Sequence, residues 1–376
     1  MKTYIRFAFL LLLLAALAYL FYLNPFSPEF WSPHTLYERK LAFSDYSDAE
    51  IEEWKMAEKQ AISDSLFVDL PTQIKLAGKA DDFTAWAYQM SLKEGQKVLI
   101  DIDKNAEKEL FIDVFFAENA RDFQHLKSIK EASTDLFILE TGNYLLRLQS
   151  PINQPIIGNI SLQIKPIYDI FPVEGKGNKA IQSFWGAPRD GGRRKHEGID
   201  IFAKKGTPLL AVCDGEIDRV KESKLGGKVV WLYDKELDQS MYYAHLDEQL
   251  VYEGQYVKAG EAIGTVGNTG NARTTPPHLH FGIYLDGAVD PLPFVKRQTN
   301  NAKPAKYIDD VGKRGMISSK PARMYFAPNK KSKAKSVLVK GTIVDIIGVV
   351  GNFLHIKTAD RGSYFVMKKD LKVEKN

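Results

Sequence analysis

Residues 196–201 read HEGIDI, a stretch that places an imidazole, His196, four residues before a carboxylate, Asp200. Gly198 and its β-branched neighbours argue against a helix, so we predict a strand or a loop here. Even spacing along a strand returns side chains to one face of the sheet. The stretch therefore predicts a β-structured region that presents a histidine and an aspartate side by side.

A second stretch, residues 278–280, reads HLH. On a strand, His278 and His280 must point the same way, while the residue between them faces the opposite side. Zinc bound by nitrogen and oxygen ligands takes four positions, and a catalytic zinc leaves one of them for water. His196, Asp200 and His280 supply three ligands, so the sequence predicts one zinc ion per chain.

Two further histidines complete the set of candidate catalytic residues. With the metal on those three ligands, His278 is expected to lie beside it without binding it. His245 lies in the stretch YYAHL at residues 242–246. We expect it to join His278 as a second general acid/base or oxyanion donor.

In order along the chain, these stretches form an H-x-G-x-D motif, a Y-x-H-L motif and an H-x-H motif within 85 residues. Together they resemble the lysostaphin/LytM family of zinc endopeptidases. The resemblance extends to SFWG at residues 183–186, GTP at 206–208 and GTVGNTG at 264–270, and it covers about a third of the chain.

This resemblance carries expectations for site, fold and substrate. It implies that His196, Asp200 and His280 bind zinc, and that His245 and His278 orient water and stabilise the intermediate. It also implies a compact, mostly antiparallel β fold with the metal on the floor of a groove. The substrate it implies is bacterial peptidoglycan, whose peptide cross-links would be hydrolysed by metal-activated water without a covalent intermediate.

Two alternatives to a wall endopeptidase remain open at this stage. Some members of the family lose zinc ligands and serve as non-catalytic activators or scaffolds of other cell-wall hydrolases, whereas this chain has every ligand. A secreted zinc protease that acts on proteins could use the same site. One departure from the family pattern is TTPP at residues 274–277, where Gly-Pro is usual. A proline in place of glycine restricts the backbone, so the groove wall and the accepted peptide are expected to differ.

The amino-terminal residues predict export and membrane attachment. Phe7–Leu23 is a run of apolar residues that follows Lys2 and Arg6, which keeps the amino terminus inside and sends the rest across. We predict an uncleaved signal anchor over residues 1–23, so that the chain is extracytoplasmic and held in the cytoplasmic (inner) membrane. Cleavage at Ala16–Ala18 is the alternative and would release a secreted or periplasmic protein.

The rest of the chain divides into modules that are mainly β. Residues 24–65 predict an extended tether over 24–34, followed by a polar helix that opens at a capping box over residues 47–50. Alternating runs over residues 66–165 predict a β-sandwich module, in which ETGNYLLR at 140–147 resembles a strand of the prepeptidase carboxy-terminal β-sandwich. Residues 166–300 form the predicted peptidase domain. Five short strands within 303–376 predict a small β-barrel that resembles bacterial Src-homology-3-like domains.

Charge is distributed unevenly between these modules. Residues 303–376 hold 17 basic and 6 acidic residues, a net charge of +11, whereas residues 1–167 have a net charge of −6. We expect the basic module to bind an anionic cell-wall surface. Nucleic acid is excluded as a partner because export removes this module from the cytoplasm.

Several other residues with chemical potential receive no role. Cys213 is the single cysteine, which excludes an intrachain disulfide and a cysteine zinc cluster. Glu197 is not assigned as a general base, because position 200 is aspartate and the HExxH helix of other zinc peptidases is absent. His34, His125 and His355 are isolated histidines and stay unassigned.

Overall fold

The structure is a computed structural model of the chain. It describes residues 32–374 except 80–82, 104–108, 119–121, 299, 303, 319–320, 333 and 361. The predicted anchor, Phe7–Leu23, and most of the predicted tether lie outside the described residues. Among those described, no helix is both long enough and apolar enough to cross a bilayer.

Helix α1 (Pro33–Leu41) begins directly after Ser32, whose hydroxyl accepts a hydrogen bond from the backbone N–H of Thr35. Pro33 occupies the first helical turn, where its missing N–H costs nothing and its fixed φ suits the helix. The extended tether predicted through residue 34 is therefore wrong at its end. A proline next to a serine cap is compatible with either state, and here the helix forms.

Helix α2 (Asp48–Ser63) confirms the predicted polar helix. Its capping box is complete, because Ser47 accepts from the backbone of Glu50 and the Glu50 side chain accepts from the backbone of Ser47. The helix packs against the sandwich through Trp54, whose indole N–H donates to the Ser150 carbonyl oxygen over 2.8 Å.

The predicted β-sandwich forms, and it contains three strands, over residues 66–67, 72–78 and 124–129, that the alternating runs did not show. One sheet has the strand order β1-β3-β8-β5-β6, and the facing sheet contains β2-β9-β4-β7. The strands are β1 (Leu66–Phe67), β2 (Thr72–Gly78), β3 (Ala85–Leu92), β4 (Gln96–Ile102), β5 (Phe111–Ala117), β6 (Gln124–Ile129), β7 (Ser133–Phe137), β8 (Gly142–Gln149) and β9 (Ile156–Pro166).

The peptidase region is built on one antiparallel sheet with the strand order β10-β13-β20-β17-β16-β15-β18. Its elements are β10 (Ile181–Ser183), β11 (Pro188–Arg189), β12 (Arg194–Lys195), β13 (Ile199–Phe202), β14 (Pro208–Leu210), β15 (Gly215–Ser223), β16 (Gly227–Asp234), β17 (Gln239–Leu246), β18 (Tyr256–Val257), β19 (Ala262–Thr265), β20 (His278–Tyr284), β21 (Ala288–Val289) and α3 (Leu292–Val295). The antiparallel β architecture expected for residues 166–300 is confirmed.

The carboxy-terminal region is made of strands, as predicted, but its described residues form seven strands rather than five, because residues 315–324 divide between two strands and a further strand follows residue 370. Its elements are β22 (Arg314–Ile317), β23 (Ala322–Tyr325), β24 (Ala334–Leu338), β25 (Ile343–Val350), β26 (Phe353–Lys357), β27 (Ser363–Met367) and β28 (Leu371–Val373). They do not close into the predicted small barrel within the described residues. Instead β25 pairs with β2 of the sandwich, and one sheet continues through both regions.

This shared sheet joins the sandwich and the carboxy-terminal region into one β unit. The predicted peptidase region lies between these two regions in the sequence. Ile74 pairs with Val350 across the junction. The buried indole of Trp86 donates to the Ile347 carbonyl oxygen over 2.9 Å. Because a β edge leaves a row of unpaired N–H and C=O groups, pairing with β2 satisfies an edge that an isolated module would expose.

Candidate active site

The register of the central sheet brings the candidate metal ligands together. Asp200 of β13 pairs with His280 of β20, and His280 pairs on its other side with Ala244 of β17. Cross-strand partners share a face, so these side chains project from the same side of the sheet. On the opposite side, Tyr243 and Phe281 are fully buried in the hydrophobic core. One face of the sheet therefore stabilises the fold and the other is left for chemistry.

Three ligand atoms converge on this face. His196 Nε2 lies 3.0 Å from Asp200 Oδ1 and 2.9 Å from His280 Nδ1, and the latter two atoms are 3.1 Å apart. The group as a whole is compact enough to hold one metal ion. His196 directly follows β12, and Asp200 is the second residue of β13, which agrees with the predicted strand or loop. The predicted convergence of these three residues is therefore confirmed in the structure.

The hydrogen bonds around His196 fix which of its nitrogens faces the cluster as an acceptor. Its Nδ1 lies 2.9 Å from the carbonyl oxygen of Phe184, which can only accept. Nδ1 must carry the hydrogen, so the neutral ring presents a lone pair on Nε2. Phe184 belongs to the SFWG stretch at residues 183–186, whose backbone thereby sets the tautomer of a ligand.

Asp200 is held through its second oxygen by a residue that the sequence did not reveal. Arg189 Nη2 donates to Asp200 Oδ2 over 2.9 Å and to Ser183 Oγ over 2.6 Å. Burial raises the pKa of Asp200, but the contacts with His196 and His280 outweigh it and hold the pKa well below its usual range. Oδ1 is therefore an ionised acceptor that points at the two imidazoles.

His245 and His278 present a different arrangement beside the three ligands. His245 Nδ1 donates to the Thr269 carbonyl oxygen over 2.9 Å, and His278 Nδ1 donates to the Pro276 carbonyl oxygen over 2.8 Å. Each neutral ring therefore has a lone pair on Nε2. The two ring centroids lie 5.1 Å apart, and both rings line the same cavity as the ligands.

The backbone at His245 is unusual for a residue with a side chain. Its φ angle is +65°, in the left-handed region, while its N–H donates to the Gly226 carbonyl oxygen over 2.8 Å. Such a conformation costs on the order of 1–3 kcal/mol and tends to occur at functional sites. Burial, followed by the charges of His278 and His280, lowers the pKa of His245 to about 4. The neutral imidazole is the form that can accept a proton.

The cavity above this cluster has a volume of about 610 Å³. It is lined by all five predicted site residues together with Thr275 of the TTPP stretch. Sequence reasoning missed two groups of wall residues. Arg189, Arg194 and Lys195 come from the β11–β12 hairpin, and the aromatic residues Trp231, Tyr242 and Tyr284 come from the central sheet.

The residues left without a role, other than Glu197, lie away from the ligand cluster. His34 of α1 contacts Gln149 of the sandwich, His125 lies in β6, and His355 Nδ1 lies 2.8 Å from the Tyr88 hydroxyl in the sandwich core. Burial raises the pKa of the Cys213 thiol, which keeps it protonated. Glu197 lines the cavity but is exposed, and it is not one of the three grouped ligands.

Comparison with known proteins agrees with this site. Residues 194–291 match the family model described as peptidase family M23, and this range contains all five site residues. A solved structure, the catalytic domain of the antimicrobial peptidase lysostaphin from Staphylococcus simulans, is 35% identical, with a TM-score of 0.28. The alignment covers 30% of this chain and 89% of that one.

Three curated relatives each match about a third of the chain. An L-Ala–D-Glu endopeptidase of Bacillus subtilis is 35% identical over 139 residues, which are 34% of this chain and 42% of the relative. Peptidoglycan DD-endopeptidase ShyC of Vibrio cholerae is 35% identical over 121 residues, 31% and 27% of the two chains. Murein hydrolase activator NlpD of Escherichia coli is 36% identical over 129 residues, 34% and 31%. The chain thus spans less than half of the length of each of these relatives.

Proposed function

Because residues 194–291 form a domain of peptidase family M23, with lysostaphin and LytM-type relatives, we propose that this chain is a zinc-dependent endopeptidase that hydrolyses peptide cross-links of bacterial peptidoglycan. The observation that carries the proposal is the convergence of His196 Nε2, Asp200 Oδ1 and His280 Nδ1 within a cavity. The endopeptidase relatives, one named for peptidoglycan, support the substrate class.

The chemistry of the three donors fits a divalent zinc ion. The lone pair of His196 Nε2, the carboxylate oxygen Asp200 Oδ1 and His280 Nδ1 face each other with separations near 3 Å. In the His280 tautomer that has its lone pair on Nδ1, all three atoms are acceptors, which repel one another unless a cation lies between them. Two nitrogens and one oxygen are a usual ligand set for catalytic zinc. When bound, zinc would lower the pKa of a water ligand and polarise the scissile carbonyl.

His245 and His278 handle protons and developing charge in the proposed reaction. Their Nδ1 atoms are committed to backbone carbonyls, so their Nε2 atoms face the cavity as acceptors. One of them takes a proton from the attacking water, and the protonated ring then donates to the departing amine or to the tetrahedral intermediate. The rigid carbonyl anchors keep both rings oriented for this exchange.

A second candidate function is a non-catalytic activator of other wall hydrolases, which the similarity to the activator NlpD favours. The family resemblance implies that such activators lose zinc ligands, whereas here the three candidate ligands are present and converge. This difference favours an enzyme. A zinc protease that acts on proteins would share the same site, and substrate choice separates it from a wall enzyme.

We propose an extracytoplasmic location, with residues 1–23 as an anchor in the cytoplasmic membrane. The apolar run Phe7–Leu23 supports this assignment. We also propose that residues 303–376, with 17 basic and 6 acidic residues, hold the enzyme on the anionic cell wall.

The test uses the purified full chain, because β25 of the carboxy-terminal region pairs with β2 of the sandwich. A fragment that begins after the sandwich would lack β2 and lose this pairing. The protein is incubated with purified peptidoglycan and, separately, with casein, each with and without a zinc chelator. Mass analysis of the products should show new peptide ends from peptidoglycan alone, abolished by the chelator and restored by added zinc. Release of casein peptides alone would indicate the protein-directed protease, and zinc-loaded protein that cuts neither substrate would indicate the activator.

A further inference from the structure

Next to the ligand cluster, three aromatic side chains pack together on the groove face of the sheet. The ring centroids of Trp231 and Tyr242 are 4.6 Å apart, and those of Trp231 and Tyr284 are 5.1 Å apart. Tyr242 also contacts the ligand His280 edge-on, with the centroids 5.9 Å apart. We refer to Trp231, Tyr242 and Tyr284 as the aromatic cluster.

The strand register explains why the aromatic cluster faces the cavity. Trp231 pairs with Tyr242, and Tyr242 pairs with Gly282, which lies two residues after His280 on β20. All of these positions share the face that presents the ligand. Each of the three aromatic residues lines the cavity and is only partly buried, unlike the fully buried aromatic residues on the opposite face.

Gly282 allows the aromatic cluster to extend close to the metal ligands. A Cβ at this position would lie 3.0 Å from Tyr284 Cε2 and 3.1 Å from the Glu197 carbonyl oxygen. Contacts this tight would push the Tyr284 ring away. The absence of a side chain therefore lets Tyr284 lean over the strand, and the rings form one surface that continues from His280.

We propose that the aromatic cluster is a substrate subsite that binds uncharged, apolar side chains of the peptide next to the scissile bond. The proposal rests on the peptidase function proposed above. The centroids step 5.9 Å from His280 to Tyr242 and 4.6 Å from Tyr242 to Trp231. An extended peptide advances about 3.3 Å per residue, so the subsite serves roughly the first to third residue on that side of the bond.

The chemistry of the cavity wall supports this choice of occupant. Aromatic faces offer a large apolar area at little cost in side-chain entropy, and they gain most when covered by apolar groups. The β11–β12 hairpin lines the same cavity with Arg194, which is paired with Asp190, and with the exposed Lys195. A carboxylate-bearing residue is better accommodated beside Lys195, which leaves the aromatic cluster for neutral side chains.

The test compares Trp231→Ala and Tyr284→Ala with the parent on two synthetic peptides that differ at one residue near the cleaved bond, leucine in one and aspartate in the other. Burying one apolar side chain is worth about 1–3 kcal/mol, so kcat/KM for the leucine peptide should fall by about 10–100-fold. This fall should come from a higher KM, while kcat is retained. The aspartate peptide should change by less than about threefold, and Trp231→Phe should restore most of the preference.

Three controls separate a subsite from a structural role. Tyr256→Ala removes an aromatic residue of the same domain that is 60% exposed and outside the cavity, so it should leave both peptides unchanged. Zinc content and the thermal transition identify variants that are merely unfolded. Direct binding of both peptides, measured by calorimetry, reports the preference even if hydrolysis is absent. In that case the proposed peptidase function fails while the subsite stands. Equal losses on both peptides, or none on either, would overturn the subsite.

Discussion

Among the residues that the structure describes, two buried clusters combine histidine with carboxylate, one at the sandwich and one in the peptidase domain. In the sandwich, Arg147 forms ion pairs with both Glu58 and Asp113, and His125 Nε2 lies 3.0 Å from Asp113 Oδ1. The arginine is 3% exposed and Asp113 is fully buried. The positive charge that these carboxylates need is thus supplied by the protein itself.

In the peptidase domain, by contrast, no arginine lies among the converging atoms of the cluster. His196 Nε2 and Asp200 Oδ1 are acceptors that meet His280 Nδ1, and Arg189 contacts the other carboxylate oxygen. All five site residues line one cavity, whereas the side chains of Arg147, Asp113 and His125 are only 4%, 0% and 3% exposed. The comparison teaches that buried histidines near a carboxylate do not by themselves mark a metal site. Two imidazole nitrogens that converge on a carboxylate oxygen without an arginine between them are the better indication.

The largest effect is expected from removing a convergent acceptor. His196→Ala and Asp200→Ala should each lose most of the bound zinc, and hydrolysis should fall by about 10⁴-fold or more, because metal and activated water disappear together. Elemental analysis and peptide release measure the two quantities. Glu197→Gln is the matched control, since Glu197 lies beside His196 but is exposed, and it should keep its zinc. Full zinc occupancy in either alanine variant would remove that residue from the ligand set.

The next largest effect is expected from removing a cavity histidine that is not one of the three candidate ligands. His245→Ala should retain zinc, while hydrolysis should fall by roughly 10²–10⁴-fold, the usual contribution of one positioned acid/base group. His278→Ala should behave in the same way. The measurements are zinc content and kcat on one peptide substrate. Turnover near the parental rate would show that the ring has no part in proton transfer.

The third effect is expected in the sandwich cluster, where a substitution should lower the free energy of unfolding. Arg147→Met leaves Glu58 and Asp113 without their cation, and breaking a buried pair in this way typically costs about 3–5 kcal/mol. Urea unfolding of the sandwich measures the loss, and the zinc affinity should stay parental. Arg314→Met is the control, because its ion pair with Asp345 is exposed and should contribute less than about 1 kcal/mol. Weaker zinc binding in Arg147→Met would contradict the conclusion that the two clusters have separate roles.

A smaller effect is expected where the peptidase cluster has its own arginine. Arg189→Met removes the donor to Asp200 Oδ2 and should weaken zinc binding by about 10–100-fold, as outer contacts of metal ligands typically do. Competition with a chelator gives the affinity, and Arg189→Lys should recover part of it. Arg194→Met serves as the control, since Arg194 pairs with Asp190 on the same hairpin. Unchanged zinc affinity in Arg189→Met would mean that the Asp200 carboxylate does not need Arg189 to hold its orientation.

How much the sequence predicted depends on the range of the interactions involved. Ligand motifs are local, so spacing on strands placed His196, Asp200, His278 and His280 correctly. Most strands of the sandwich and of the carboxy-terminal region were likewise visible as short alternating runs. The capping box at Ser47 is also local. In each case the side chains that decide the structure lie within a few residues of one another.

What the sequence missed depends on contacts between distant segments. Alternation shows that residues 343–350 form a strand but not that β2 is its partner, so a closed barrel was expected and a shared sheet is found. The contact of Arg189 with Asp200 depends on the fold of a hairpin, and the aromatic cluster on the register of three strands. Pro33 fits a helix start as well as a tether, and its sequence context leaves both open.

The smallest expected effect lies within the sandwich cluster and depends on pH. His34 is buried, its Nε2 donates to Gln149 Oε1 over 2.7 Å, and its ring stacks on Trp54. Burial, aided by the charge of Arg147, lowers the pKa of His34 to about 4. In the unfolded chain the pKa is about 6.5, so the unfolded state binds a proton first as the pH falls. The contribution of neutral His34 is therefore complete above pH 6.5 and is lost progressively between 6.5 and 4.

Linkage gives the size of this loss as about 1.3 kcal/mol between pH 7.5 and 5.5. We expect the free energy of unfolding of the parent to fall by that much more than that of His34→Gln, which cannot titrate in this range. Urea titrations of the full chain at both pH values, followed by fluorescence, measure the difference between the two proteins and cancel the other titrating groups. The peptidase cluster should not contribute, because both proteins retain it. If the two proteins lost the same stability, the folded chain would take up a proton at His34 as readily as the unfolded chain does, and burial beside Arg147 would not be what keeps this ring neutral.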